Sequence, residues 1–241
     1  MPPTSPADNL PIVVIACQVF QHLLENRLPS ELVRSVTFLD YGLHSVPRKL
    51  TLKVQELIDS IEEPSLVVLG YGLCGNGLNG IRAGRHILLI PRADDCIAIL
   101  LGSHKTYMRE FSAVPGTYYL TKGWLESGSH PLKEYHEYLP KYGPEETLWL
   151  LDQQYRHYER IALVASTPEE MAAYREQALE VARFCERWGW RYEEIVGSDD
   201  YVRRLFETAI AVRDGGPATR VGSDFLVIPP GGEIRQEMFM R

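Results

Sequence analysis

Two short runs, residues 11–16 (PIVVIA) and 66–69 (LVVL), are apolar at every position and rich in β-branched side chains. A strand with one wet face alternates apolar and polar residues, so unbroken apolar runs of this length point to strands covered on both faces. Residues 35–39 and 86–90 add two further strand-like segments. Between the strands the spacing changes to that of helices. Residues 19–28 follow the first, Leu50, Val54, Leu57, Ile58 and Ile61 follow the second, and a helix opens at residue 97 after the fourth. Strands alternating with helices imply a parallel, doubly wound sheet.

The alternation continues downstream. Residues 116–121, 161–165, 191–196 and 225–228 are strand-like, and residues 144–158, 167–188 and 201–212 are helical. Thr167-Pro168-Glu169-Glu170 opens the long helix in capping style. The organisation expected is a flexible tail over residues 1–10, an N-terminal lobe over 11–125, a connector over 126–143 and a C-terminal lobe over 144–241. The expected fold class is α/β, with two Rossmann-like lobes whose parallel sheets face a cleft; one larger doubly wound sheet is the alternative. Pro229-Pro230-Gly231-Gly232, after the last strand, is expected to cap that cleft.

Charge and cysteine content narrow the function classes. A net charge of -7 disfavours nucleic acid and anionic membranes as partners, since both reward a basic surface. Four cysteines in 241 residues are too few for a disulfide scaffold and are expected to be reduced. Val14-Ile15-Ala16-Cys17 looks like a lipoprotein cleavage box, but no Lys or Arg precedes it and its apolar run is short, so a cytoplasmic protein is expected.

In an open parallel sheet, ligands bind just outside the carboxyl ends of the strands. Cys17, Cys74 and Cys96 all fall there, after the first, third and fourth strands, whereas Cys185 lies within a helix and reads as a small core residue. Three thiolates with one coordination position free form the kind of site a catalytic zinc ion or a 4Fe-4S cluster needs. The metal ligands expected are therefore Cys17, Cys74 and Cys96. Gly70, Gly72 and Gly75 around the second cysteine match a dinucleotide fingerprint, although Asn76 and Gly77 stand where its long helix should start; Gly70, Gly72, Gly75, Asn76 and Gly77 serve either a cofactor phosphate or the close approach of backbone to another ligand. His44, Arg92, Asp94 and Asp95 follow the second and fourth strands and are the candidate catalytic residues, for proton transfer or for orienting a small-molecule substrate.

Several blocks carry a family resemblance. Leu43-His44-Ser45-Val46-Pro47, the segment from Leu69 through Gly77, Pro91-Arg92-Ala93-Asp94-Asp95-Cys96-Ile97 and Gly116-Thr117-Tyr118-Tyr119-Leu120-Thr121 resemble the motif blocks of domain-of-unknown-function family 1638. The resemblance runs from residue 12 to about residue 225, with Gln18 standing where the family pattern has glycine. It implies an association with corrinoid-dependent methyl transfer, and so corrinoid methyltransferase proteins as partners. A non-catalytic nucleotide or cofactor-binding module remains the alternative function.

Overall fold

The computed structural model describes residues 10–25, 27–29, 31–215 and 223–240. Of the tail expected over residues 1–10, all but Leu10 lies outside them. The described strands are β1 (Ile12–Cys17), β2 (Val33–Leu39), β3 (Leu66–Gly70), β4 (Ile87–Pro91), β5 (Thr117–Leu120), β6 (Arg160–Ala165), β7 (Arg191–Val196) and β8 (Phe225–Ile228). The α-helices are α1 (Gln21–Glu25), α2 (Pro47–Asp59), α3 (Cys96–Leu100), α4 (His104–Ala113), α5 (Lys122–Ser127), α6 (Pro131–Tyr155), α7 (Pro168–Cys185) and α8 (Asp200–Arg213). The α/β class expected from the sequence is observed, in two units that each carry a largely parallel sheet.

One unit comprises Met1–Ile99 and Asp199–Arg241. Its sheet has the order β2-β1-β3-β4-β8. β1 and β3 are buried at every residue, which is why their sequences tolerate no polar side chain on either face. β1 pairs in parallel with both β2 and β3, and β3 with β4. α2 connects β2 to β3, starting at Pro47 and burying Leu50, Val54 and Ile58 along one stripe. α8 buries Tyr201, Val202, Leu205, Phe206, Ala209 and Val212. No regular helix joins β3 to β4. The chain there is held by the C-terminal segment, through Gly80 N to Ile234 O (2.8 Å), Ala83 N to Gly232 O (2.9 Å) and Ile234 N to Ile81 O (2.8 Å).

The other unit, Leu100–Ser198, has an all-parallel sheet of order β5-β6-β7. Tyr155, Trp190 and Cys185 lie in its core, with Tyr118, Tyr158 and Trp188 packed against them. Arg160, 4% exposed, is offset by Glu193 (2.8 Å) and Glu110 (3.2 Å) and donates to Thr117 Oγ1 (2.9 Å). The unit's two ends are tied by a hydrogen bond from Ser198 N to Leu100 O (3.2 Å).

Three expectations change. β8, assigned from the sequence to the C-terminal lobe, pairs antiparallel with β4, and β5, assigned to the N-terminal lobe, pairs with β6. The apolar pattern of a buried strand carries no information about its partner, and the chain returns to the first unit only after β7. Because β8 runs against β4, Pro229–Gly232 lies beyond the amino end of β4, where Gly231 N donates to Gly84 O (2.7 Å); it does not lie near the edge that carries Cys96. The connector expected over residues 126–143 is largely helical. Pro131 occupies the first turn of α6, the His130 side chain caps it by accepting from Lys133 N (3.2 Å), and the helix breaks at Gly143 (φ 75°, ψ 171°) before resuming at Pro144.

Gly70 stands opposite Ala16, and a Cβ added there would lie 2.5 Å from the Ala16 Cβ. Gly70→Ala should therefore lower the unfolding free energy by about 1–3 kcal/mol through overpacking, read as an earlier urea midpoint with unchanged slope.

Candidate functional site

Strand order places the candidate residues. From β1 the chain moves outward to β2, then crosses back so that β3 lies on the other side of β1. This reversal makes the carboxyl ends of β1 and β3 the switch point at which open sheets bind ligands. Cys17 is the last residue of β1, Cys74 lies in the loop after β3, and Cys96 is the first residue of α3 after β4.

The loops after β3 and β4 are joined beyond the end of the sheet. Leu73 N donates to Ala93 O (2.8 Å) and Cys74 N to Asp94 O (2.9 Å). Gly72 permits this approach, since a Cβ there would sit 2.7 Å from the backbone carbon and oxygen of Asp95. Gly70 does the same toward β1, against the residue before Cys17. These two glycines are thus accounted for by the approach of protein backbone. Gly77 lies against Leu50 of α2, and its carbonyl accepts from Thr51 Oγ1 (2.8 Å). Between them Cys74, Gly75 and Asn76 all have positive φ (49°, 61° and 72°). Cys74 and Asn76 are the non-glycine residues with this backbone among those described. Such strain persists where surrounding structure enforces it, and it is concentrated at functional sites.

Electrostatics bring the three thiols into one environment. Burial pushes Cys17 up to about 11, with the Asp40 carboxylate adding to the rise and the Val19 N–H opposing it. Burial, followed by the charges of Cys17 and Asp95, pushes Cys74 up to about 12. Cys96 is raised well above the ordinary thiol value by burial first, then by Cys74, Asp95 and Cys17. Each thiolate thus opposes formation of the next. Tyr71, 3% exposed, feels the charges of Cys17 and Cys74 after its own burial, and its hydroxyl has no hydrogen-bond partner among the described residues. The donor chemistry fits a thiophilic metal, although among the described residues no three His, Cys, Asp or Glu side chains stand ready as a coordination group.

The other candidates are distributed around this centre. Asp95 acts on Cys74 and Cys96, and its Oδ1 accepts from Ile97 N (2.8 Å) at the start of α3. Asp94 is exposed, and its backbone carbonyl holds Cys74. Arg92 reaches the C-terminal segment: its N–H donates to Asp224 O (2.7 Å) and its guanidinium to Met240 O. His44 is exposed in a 3-10 turn, with Nδ1 against the Tyr41 carbonyl. Gly75 and Asn76 are exposed at the loop tip. Cys185 is fully buried in the core of the other unit, as its helical setting predicts. Sequence reasoning missed Asp40 and Tyr71. Asp40 follows β2 at the same edge as the thiols, and Tyr71 sits inside the glycine motif, where an aromatic residue passes for filler.

The model of the family described as "Protein of unknown function (DUF1638)" matches residues 38–206. The chain belongs to the DUF1638 family. The matched segment contains Asp40, Tyr71, Cys74 and Cys96, and Cys17 precedes it. No curated protein and no solved structure matches the chain. Membership of DUF1638 names no reaction, so the chemistry rests on the residues. No helix among the described residues is long and apolar enough to cross a membrane.

Because their pKa values are raised, Cys74 and Cys96 stay protonated at neutral pH, and the reactive thiolate grows only as the pH climbs. Alkylation by iodoacetamide, followed by peptide mass spectrometry, should be slow at neutral pH and keep accelerating toward pH of about 11, whereas a free cysteine of pKa about 8.5 levels off earlier. A plateau near pH 9 would contradict the burial described here.

Proposed function

We propose that Cys17, Cys74 and Cys96 hold a thiophilic metal centre, either a zinc ion or a 4Fe-4S cluster, and that the protein acts as an enzyme or accessory in corrinoid-dependent methyl-group metabolism. The observation that carries the reading is the arrival of three cysteines, Cys17 buried and Cys74 and Cys96 half-buried, just past the carboxyl ends of β1, β3 and β4 at the sheet's switch point. A bare thiolate there is disfavoured by burial and by its neighbours, and a bound cation reverses both terms. Asp40 and Asp95 add negative charge that works in the same direction. A centre of this type supplies an open coordination position, at which zinc activates a thiol acceptor or a cluster binds substrate or delivers an electron. The chain's own residues set the stage for it: Gly70 lets the end of β3 close on β1, Gly72 lets the loops after β3 and β4 meet, and the hydrogen bonds from Leu73 and Cys74 join those two loops. His44, Arg92 and Asp94 we assign to the small-molecule substrate, by proton transfer or orientation. The corrinoid association is only what the family resemblance implies, and corrinoid methyltransferase proteins are the partners proposed with it.

The test is metal analysis and a visible spectrum of protein prepared without oxygen. Iron with broad visible absorption marks the cluster; zinc without colour marks the Lewis acid. Cys74→Ser and Cys96→Ser should each weaken metal binding by more than the about 10–100-fold lost with an outer-shell partner, while remaining folded. Cys185→Ala should retain its metal and lose about 1 kcal/mol of stability or more from the cavity it leaves. Full metal content in the Cys74 and Cys96 variants, or none in the parent, overturns the proposal and leaves the binding module.

A further inference from the structure

Helix α6 opens on an unusual cap. His130, 7% exposed, stands in extended backbone (φ -155°, ψ 159°) ahead of Pro131, and its Nδ1 accepts from Lys133 N at 3.2 Å. The residues usually found at this position, serine, threonine, asparagine and aspartate, accept through an oxygen that keeps its lone pairs in mild acid. An imidazole accepts only while Nδ1 is unprotonated. Protonation turns the acceptor into a donor facing the Lys133 N–H, and it places a positive charge at the positive end of the helix. The charged groups that act on the ring are Lys133 and His136 of the same helix, which oppose protonation, and Glu180 of α7, which favours it. Burial is the largest influence, and the pKa is held below the ordinary histidine value.

The helix is divided so that one half depends on this cap. Gly143 (φ 75°, ψ 171°) breaks it, and the half that resumes at Pro144 is anchored by the burial of Thr147, Leu151 and Tyr155. The half before the break, residues 131–142, lies over the aromatic core of its own unit. Leu132, Tyr135 and Tyr138 pack against that core, the Tyr135 ring is 5.3 Å from that of Phe184, and Glu134 accepts from the Tyr155 hydroxyl (2.7 Å). We infer that residues 131–142 form a pH-sensitive strap over this core, latched while the His130 imidazole is neutral and released when it is protonated. The folded strap binds the proton more weakly than the unfolded chain does. The latch is therefore complete above the ordinary histidine value of about 6.5, and it weakens as the pH falls below that value and through the lowered one.

Hydrogen exchange of the full chain tests the latch, read by mass spectrometry at about pH 7.5 and about pH 5 and corrected for the intrinsic pH dependence of exchange. In the parent, peptides from 131–142 should lose about tenfold in protection on acidification, the scale of a lost cap, while peptides from 144–155 keep theirs. His130→Asn and His130→Ser, which cap without titrating, should hold the strap at both pH values. His130→Ala, which cannot cap, should lower its protection at both. Glu134 and His136 are common to the parent and all the variants, so a difference between the parent and the Asn or Ser variant belongs to the His130 imidazole. No loss in the parent, an equal acid loss in the Asn and Ser variants, full protection in the Ala variant, or a loss spread evenly over 144–155 overturns the inference.

Discussion

Two backbone hydrogen bonds, from Leu73 and Cys74 to the carbonyls of Ala93 and Asp94, extend the β3–β4 partnership past the end of the sheet. Most parallel strands part company there, because their chains must turn away into crossovers. Here the loops stay together for a few more residues, and this places Cys74 beside the loop that carries Cys96. The joining depends on absent side chains. Gly72 cannot carry a Cβ against the Asp95 backbone, and Gly70 cannot carry one against Ala16. The left-handed run from Cys74 to Asn76 is where the chain then turns back toward Gly77 and α2.

That arrangement disfavours the ionised form of the thiols. Three thiols and two carboxylates, Asp40 and Asp95, influence one another at one edge, and the described surroundings offer them no cationic side chain as a major influence. Purely structural cysteines do not need this. Cys185 is raised by burial alone, in a core of apolar and aromatic neighbours. The contrast between one solitary thiol and three interacting ones is what the proposed metal site builds on.

Much of the fold was legible in the sequence because apolar periodicity reports burial directly. β1, β3, α7 and α8 fall where their patterns place them. Partnership was not legible: Phe225–Ile228 announces a buried strand but not that it runs antiparallel to β4, and Gly116 through Thr121 does not say which sheet it joins. The proline and tyrosine content of residues 131–142 suggested a connector, since proline marks loops as well as the first turn of a helix and the His130 cap is an uncommon one. The positions of the three cysteines followed from strand ends alone. Asp40 and Tyr71 did not, because neither residue type signals chemistry without a neighbour to act on. The use of the glycines was half legible: close approach was expected, but its target is protein backbone.

The return of the chain to complete its first sheet has a consequence for biogenesis. Leu100–Ser198 is inserted between β4 and α8, so the first unit cannot be finished until β8 has left the ribosome. Throughout that interval β4 presents an open, apolar edge and the three cysteine-bearing loops already exist. An unpaired edge invites non-native pairing, and contacts so distant in sequence form slowly. The inserted unit has no such wait, since all its strands are consecutive, and it can fold as soon as β7 emerges. Synthesis thus makes the cysteine-bearing unit the last to close, although its first strand is the first to appear.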